Sequence, residues 1–194
     1  QAQDSVIALP AANPFYTKNA LLSYYARAIY SLNDRYVINV SMRRDGSSRF
    51  SPEQRWGWFP AASAAWIVSQ EKFMKNIKAI NMLKVRAGWG VTGQQDGIGD
   101  YAYIGNYFEG GATAQYAFGG QYYTVFRPAG FDANLKWETT TSYNIGLDFG
   151  LLKDRISGSI DLYKKLTSDL LATVAVPAGT NFTNQILTNV GGME

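Results

Sequence analysis

Apolar and polar residues alternate with a period of two along most of this chain, the pattern of β-strands with one greasy and one wet face. The longest stretch runs from Trp137 to Leu151. Trp137, Thr139, Thr141, Tyr143, Ile145, Leu147, Phe149 and Leu151 fall on one face; Glu138, Thr140, Ser142, Asn144, Gly146, Asp148 and Gly150 fall on the other. Soluble strands usually last about five or six residues, so this one is long. After a tight turn at Leu152 to Arg155 the alternation resumes: Ile156, Gly158, Ile160 and Leu162 oppose Ser157, Ser159, Asp161 and Tyr163. An earlier hairpin repeats the design. Leu22, Tyr24, Ala26, Ala28 and Tyr30 oppose Ser23, Tyr25, Arg27 and Ser31; the turn is Leu32 to Arg35; Tyr36, Ile38, Val40 and Met42 then oppose Val37, Asn39, Ser41 and Arg43. The two turns share the pattern Leu-x-Asp-Arg.

Further strands are predicted at about 56–67 and 82–91. In the second, Leu83, Val85, Ala87 and Trp89 oppose Lys84, Arg86, Gly88 and Gly90. Residues 69–81 read as a short helix or a turn, and a last strand is expected from Gln185 towards Glu194. The connections alternate in length: tight at 32–35 and 152–155, longer at 45–55, and about 45 residues at 92–136. Short turns at one end and long loops at the other are the habit of outer-membrane barrels, whereas a loop of that length is rare in a soluble domain.

The expected fold class is therefore all-β: an antiparallel transmembrane β-barrel segment of about six or seven strands, one arc of a larger barrel, since an open sheet would leave unpaired edges in lipid. In a barrel wall the greasy face meets hydrocarbon and the polar face lines a wet lumen. The residues expected to face the lumen are Arg27, Arg43, Lys84, Arg86, Glu138, Asn144, Asp148 and Asp161. An arginine turned instead to the middle of the bilayer costs roughly 2–4 kcal/mol. Tyr30 and Tyr36 beside one turn, and Trp56, Trp58 and Phe59 near the opposite end, suit two aromatic girdles. The competing reading is a soluble or surface-displayed β-domain that binds carbohydrate or mediates adhesion, with the greasy face as its core.

Composition narrows the chemistry. The chain has 194 residues, no cysteine and no histidine. Disulfides, thiol nucleophiles and Cys/His metal sites are thereby excluded. The net charge of +3 comes without a basic block, so a nucleic-acid partner is not expected. No apolar run is long enough for a membrane helix, which says nothing about strands. Gln1 to Asp4 shows no charged or apolar leader features, and the expectation is a fragment of a longer protein.

No constellation supports catalysis, and neither a cofactor nor a metal site is expected. Glu138, Asp148 and Asp161 share a face but are spread along strands. Asp96-Gly97-Ile98-Gly99-Asp100 lacks the ligand spacing of a calcium loop and reads as a glycine-rich turn. Arg44-Asp45-Gly46 reads as structural: Asp45-Gly46 is expected to begin a turn, with Arg43, Arg49 and Arg55 pairing to nearby carboxylates. The best binding candidates sit in the long loop: Tyr101, Tyr103, Tyr107, Tyr116, Phe118, Tyr122 and Tyr123, joined by Phe108 and Phe126. Aromatic faces pack on sugar C–H faces or peptide side chains. They equally pack on one another or on a covering protein.

Several segments carry a family resemblance. Arg43-Arg44-Asp45-Gly46-Ser47-Ser48-Arg49-Phe50, Arg55-Trp56-Gly57-Trp58-Phe59-Pro60-Ala61, Val91-Thr92-Gly93-Gln94-Gln95, Leu135-Lys136-Trp137-Glu138-Thr139-Thr140 and Val176-Pro177-Ala178-Gly179-Thr180-Asn181-Phe182 resemble the barrel signature of SusC/RagA-type TonB-dependent transporters. So does Asn189 to Glu194, although that family often has Ser where Gly192 stands. The resemblance implies a plugged barrel of about 22 strands in the outer membrane of a Gram-negative bacterium. It further implies import energised by a TonB complex through a part not contained here, and a SusD-like lipoprotein lid that captures oligosaccharides or peptides.

Overall fold

The structure is a computed structural model and describes residues 18–194, apart from Ala112 and the side chain of Phe108. The reading of Gln1 to Asp4 lies outside the described residues. The strands are β1 (Leu21–Leu32), β2 (Tyr36–Ser47), β3 (Trp56–Ile67), β4 (Ile80–Gln94), β5 (Tyr107–Glu109), β6 (Gln115–Phe118), β7 (Gln121–Thr124), β8 (Phe126–Pro128), β9 (Glu138–Leu151), β10 (Ile156–Ser168), β11 (Leu171–Ala175), β12 (Gln185–Asn189) and β13 (Gly192–Met193). Seven of them form one antiparallel sheet in the order β1-β2-β3-β4-β9-β10-β13. The region 68–79 holds a single turn of 3-10 helix, Val68–Gln70, followed by hydrogen-bonded turns.

Local chemistry explains the tight turns. Asn33 and Asp34 take left-handed φ angles of 52° and 54°, which short polar side chains tolerate. Leu152, Lys153 and Asp154 do the same at 53°, 57° and 60°. Leu and Lys have no such ease, and this second turn is held from outside: Leu152 N–H donates to the Ala79 carbonyl and Lys153 N–H to the Asn81 side chain, both at 2.8 Å.

Pairing registers carry the two faces from strand to strand. Arg27 pairs with Ser41, Ser41 with Ala61, Ala61 with Gly90, Gly90 with Ser142, and Ser142 with Lys165. The opposite register carries Ile38, Val40, Val85, Ile145, Ile160 and Leu162, which are 36–71% exposed. The greasy side is not folded onto itself as a soluble core. An uncovered apolar face of that extent marks a surface made to meet another apolar medium or a partner.

The buried hydrophobic residues, among those described, are Phe50, Phe59, Val68, Ile98, Leu135 and Trp137. Five of them, Val68 apart, form one cluster at the long-loop end. Fully burying Phe50 or Leu135 there contributes about 1.5–3 kcal/mol each. Pairing of β3 with β4 stops at Ala61–Gly90; beyond it Val91 and Gly93 turn towards Phe59. A Cβ on Gly93 would stand 2.1 Å from the Phe59 ring, and one on Gly57 would stand 2.4 Å from it. Glycine is required at both positions by this close approach.

Four expectations are corrected. Trp137 does not face outward at the head of the long strand: it is 7% exposed, precedes β9, and packs on Phe50 and Phe59 at 4.9 and 5.4 Å while its indole N–H donates to the Arg55 carbonyl at 3.0 Å. Phe59 is likewise an inward residue rather than part of an aromatic girdle. Asp45-Gly46 lies within β2, and the turn begins at Ser48. The strand expected from Gln185 to the end is broken. β12 pairs with β11 in a separate hairpin, Gly191 turns the chain at a φ of 57°, and only β13 joins the main sheet.

Candidate functional site

On the polar face, charges predicted for the lumen are brought together by register. Lys84 pairs with Asp148, and Arg86 with Gly146, which pairs with Asp161. The Arg86 guanidinium donates twice to Asp148, at 2.8 and 2.9 Å, and through one nitrogen to both oxygens of Asp161, at 3.1 and 3.3 Å; Lys84 Nζ stands 3.7 Å from Asp148. Gly146 makes the lattice possible, because a Cβ there would lie 2.5 Å from the Asp161 carboxylate and 2.8 Å from the Arg86 guanidinium. Arg27 Nε donates to Asn39 at 2.7 Å. Arg43 Nε donates to Asp45 at 2.7 Å and its guanidinium lies 5.6 Å from the Phe59 ring centre. Asn144 lines a groove of about 230 Å³ with Asn39, Ser63 and Arg86. Glu138 instead accepts the Leu171 N–H at 3.0 Å and ties β9 to β11. The arginine pairings expected around the loop hold for Arg43 with Asp45 and for Arg49 with Asp100 at 3.2 Å. Arg55 forms no ion pair among the described residues, and its Nε is buried without a hydrogen bond.

The long loop separates into a clamped base and a presented tip, which divides the candidate tyrosines. At the base, Tyr101 is half-buried and donates to the Lys18 carbonyl at 3.2 Å, and Tyr103 is half-buried too. Tyr107 packs on Phe182, 6.2 Å away, and Phe182 on Phe131, 5.7 Å away. The tip is the β6–β7 hairpin. Its turn is Gly119-Gly120, both with positive φ, as a two-residue hairpin turn demands. Tyr116 pairs with Tyr123 and Phe118 with Gln121, so Tyr116, Phe118 and Tyr123 share one face, while Tyr122 points to the other. Phe118 is 67% exposed and Tyr122 73%.

Sequence reasoning missed the asparagines that clamp the base. Asn181 exchanges hydrogen bonds with the Phe131 backbone at 3.3 and 2.9 Å. Asn189 does the same with Lys136, at 2.9 Å each way, and also donates to the Asp169 carbonyl. Thr188 Oγ1 donates to Asp132 at 2.5 Å. These side chains pin the returning arm of the loop to the β11–β12 hairpin. No sequence signal pairs residues about 50 positions apart.

At the opposite end a second cluster forms on Glu71. Tyr36 Oη donates to its carboxylate at 2.6 Å, Trp66 Nε1 at 3.2 Å and Arg35 at 3.3 Å, and the Tyr36 and Trp66 rings stack. These donors, Tyr36 foremost and Trp66 next, hold the Glu71 carboxyl below the usual carboxylate range.

With that geometry in hand, comparison with known proteins decides the lineage. A family described as "TonB dependent receptor-like, beta-barrel" matches residues 2–194. The chain belongs to this TonB-dependent receptor β-barrel family. It is 48% identical over 180 residues to the TonB-dependent receptor SusC of Bacteroides thetaiotaomicron, covering 93% of this chain and 18% of SusC. It is 42% identical over 181 residues to the TonB-dependent receptor P39 of Formosa agariphila, covering 92% of this chain and 16% of that protein. Among solved structures, the RagAB peptide importer in its open-open state superimposes with a TM-score of 0.77 at 26% identity, over 90% of this chain and 18% of that one. The chain thus spans under a fifth of the length of these TonB-dependent receptor relatives, and its seven-stranded sheet is an arc of the larger barrel fold.

Proposed function

We propose that these strands form part of the wall of an outer-membrane importer, working with a SusD-like lipoprotein and a TonB complex to take up oligosaccharides or peptides. The observation that carries this reading is the uncovered apolar face, continuous across β1, β2, β3, β4, β9 and β10, backed by a polar face on which Lys84, Arg86, Asp148 and Asp161 neutralise one another. Lipid covers the first face and water wets the second, as a spanning barrel requires. The long loops then lie outside the cell, and the shared face of Tyr116, Phe118 and Tyr123 is presented to the captured oligomer or to the lid. One structural relative is described as a peptide importer, which supports, for that protein, traffic of an oligomeric cargo.

The test uses the intact gene product. It should partition with outer membranes, migrate differently on gels before and after heating, and support uptake of a labelled oligosaccharide or oligopeptide that ceases when TonB is deleted. Replacing Tyr116, Phe118 and Tyr123 together with Ser should cut uptake while leaving membrane insertion intact. Recovery of the product in the soluble fraction, or uptake indifferent to TonB, would overturn the reading.

A further inference from the structure

Two cations stand on the apolar register of the sheet, Arg44 on β2 and Lys164 on β10. Lys164 is neutralised by Glu194. Arg44 has no carboxylate in reach among the described residues. It is caged by aromatic rings instead. Its cross-strand partners are Tyr24 and Trp58. Gly46, two residues on, lets the Trp56 indole lie flat across β2, since a Cβ at Gly46 would meet that ring at 2.7 Å. Trp56 consequently stacks on Tyr24, with ring centres 6.0 Å apart. The Arg44 guanidinium carbon lies 4.5 Å from the Trp56 ring centre and 4.9 Å from that of Trp58. Rings cover the guanidinium, and its Nε is buried without a hydrogen-bond partner. A groove of about 410 Å³, lined by Tyr24, Tyr25, Ala26, Met42, Arg44 and Trp58, continues from Arg44 over Ala26 and Met42 towards the middle of the sheet.

A partly dehydrated cation at the head of an apolar groove is complementary to a molecule with an anionic head and a hydrocarbon tail. Arginine presents a planar fork of N–H donors that matches phosphate oxygens two at a time. We infer that Arg44 and this groove hold one phosphorylated lipid of the leaflet beside the long loops, its phosphate on the guanidinium and an acyl chain over Ala26 and Met42. A free phosphate leaves the groove empty, and an uncharged lipid leaves Arg44 without a counter-charge. The inference rests on the outward orientation of the apolar face given under the proposed function.

The experiment is lipid retention by the intact gene product, delipidated in uncharged detergent and analysed by native mass spectrometry. Phosphatidic acid is the probe. Diacylglycerol with the same chains is the control without phosphate, and inorganic phosphate is the competitor without chains. Wild type should retain phosphatidic acid about tenfold more tightly than diacylglycerol, the margin of a charge-assisted bidentate contact. Arg44→Gln should erase that preference, Arg44→Lys should keep part of it, and millimolar inorganic phosphate should not displace the lipid. Trp58→Leu, which opens the cage but keeps the charge, should weaken retention and serves if Arg44→Gln fails to insert. Equal retention of the two lipids, an unchanged preference in both Arg44→Gln and Trp58→Leu, or displacement by inorganic phosphate would overturn the inference. Those outcomes leave the membrane reading standing, because insertion is scored separately by heat-dependent gel migration.

Discussion

Reversing the character of single positions along β9 separates the two faces quantitatively. β9 runs from Glu138 to Leu151, which places Ile145 close to its centre. At roughly 3.4 Å per residue, and with a strand tilt of about 40°, six or seven residues on either side rise about 16–18 Å, which carries the strand through the whole of an apolar band about 25 Å tall and puts both its ends beyond it. Ile145, 62% exposed on the apolar register, therefore sits near the midplane. Ile145→Arg should destabilise the folded barrel by about 2–4 kcal/mol, and Leu151→Arg, at the strand end, by about 0–1 kcal/mol. Asn144 is the immediate neighbour but pairs with Gly88 and Tyr163 on the polar register. Asn144→Arg enters water and should change stability by less than about 0.5 kcal/mol. The assay is reversible urea unfolding of the intact gene product in lipid vesicles, read by tryptophan fluorescence. Equal penalties at Ile145 and Asn144, or a larger penalty at Leu151 than at Ile145, would refute the assignment of faces.

Three further outcomes are expected. Asp148 accepts from two nitrogens of Arg86 and neighbours Lys84, whereas Asp161 shares one Arg86 nitrogen over two longer contacts with its side chain 38% exposed; Asp148→Asn should lower the unfolding midpoint in the same assay clearly more than Asp161→Asn does, and the reverse order would reject Asp148 as the hub. Gly93→Ala drives a methyl group into the Phe59 ring and should cost about 1–3 kcal/mol, with Phe59→Leu in the same background recovering part of the loss; strict additivity of the two changes would show that they do not touch. Because the Glu71 carboxyl is held below its ordinary range, its contribution is present above the unfolded carboxylate pKa and is lost as pH falls through the lower, folded value; Glu71→Gln should therefore flatten the acid limb of a melting-temperature profile, and an unchanged limb would count against the Tyr36–Trp66–Glu71 cluster.

What the sequence disclosed followed the range of its signals. Period-two alternation is local, so the long strands, both tight turns and the placement of Arg86, Asp148 and Asp161 on one face could all be read from it. Trp137 continues the same alternation and yet turns inward, because Phe50 and Leu135 offer it a dry site and the Arg55 carbonyl accepts its N–H. Alternation predicts which side of a strand a residue takes, but not where the strand begins. Arg44 drew attention only as part of an Arg-Asp-Gly run; its meaning lies in being one register step out of phase with Arg43, which pairing to Trp58 makes plain. The Asn181 and Asn189 clamps join segments distant in sequence and leave no local trace.

The division of the long loop gives the tip its purpose. A binding surface at the end of a long insertion loses specificity if its root moves, because each loosely held side chain adds an ordering cost on contact. Here the root is a packed core of Phe50, Phe59, Ile98, Leu135 and Trp137, with the Asn181, Asn189 and Thr188–Asp132 bonds beside it. Beyond the root, the arms are joined by the three-residue ladder of β5 with β8 before they reach the β6–β7 hairpin. On the proposed function, substitutions in the root should thus act through folding, and those at Tyr116, Phe118 or Tyr123 through recognition. Aromatic rings whose solvent exposure runs from 45% to 67% on a hairpin face that covers no core of this segment contribute little to its folding, which fits the contact with cargo or lid that the proposed function gives them.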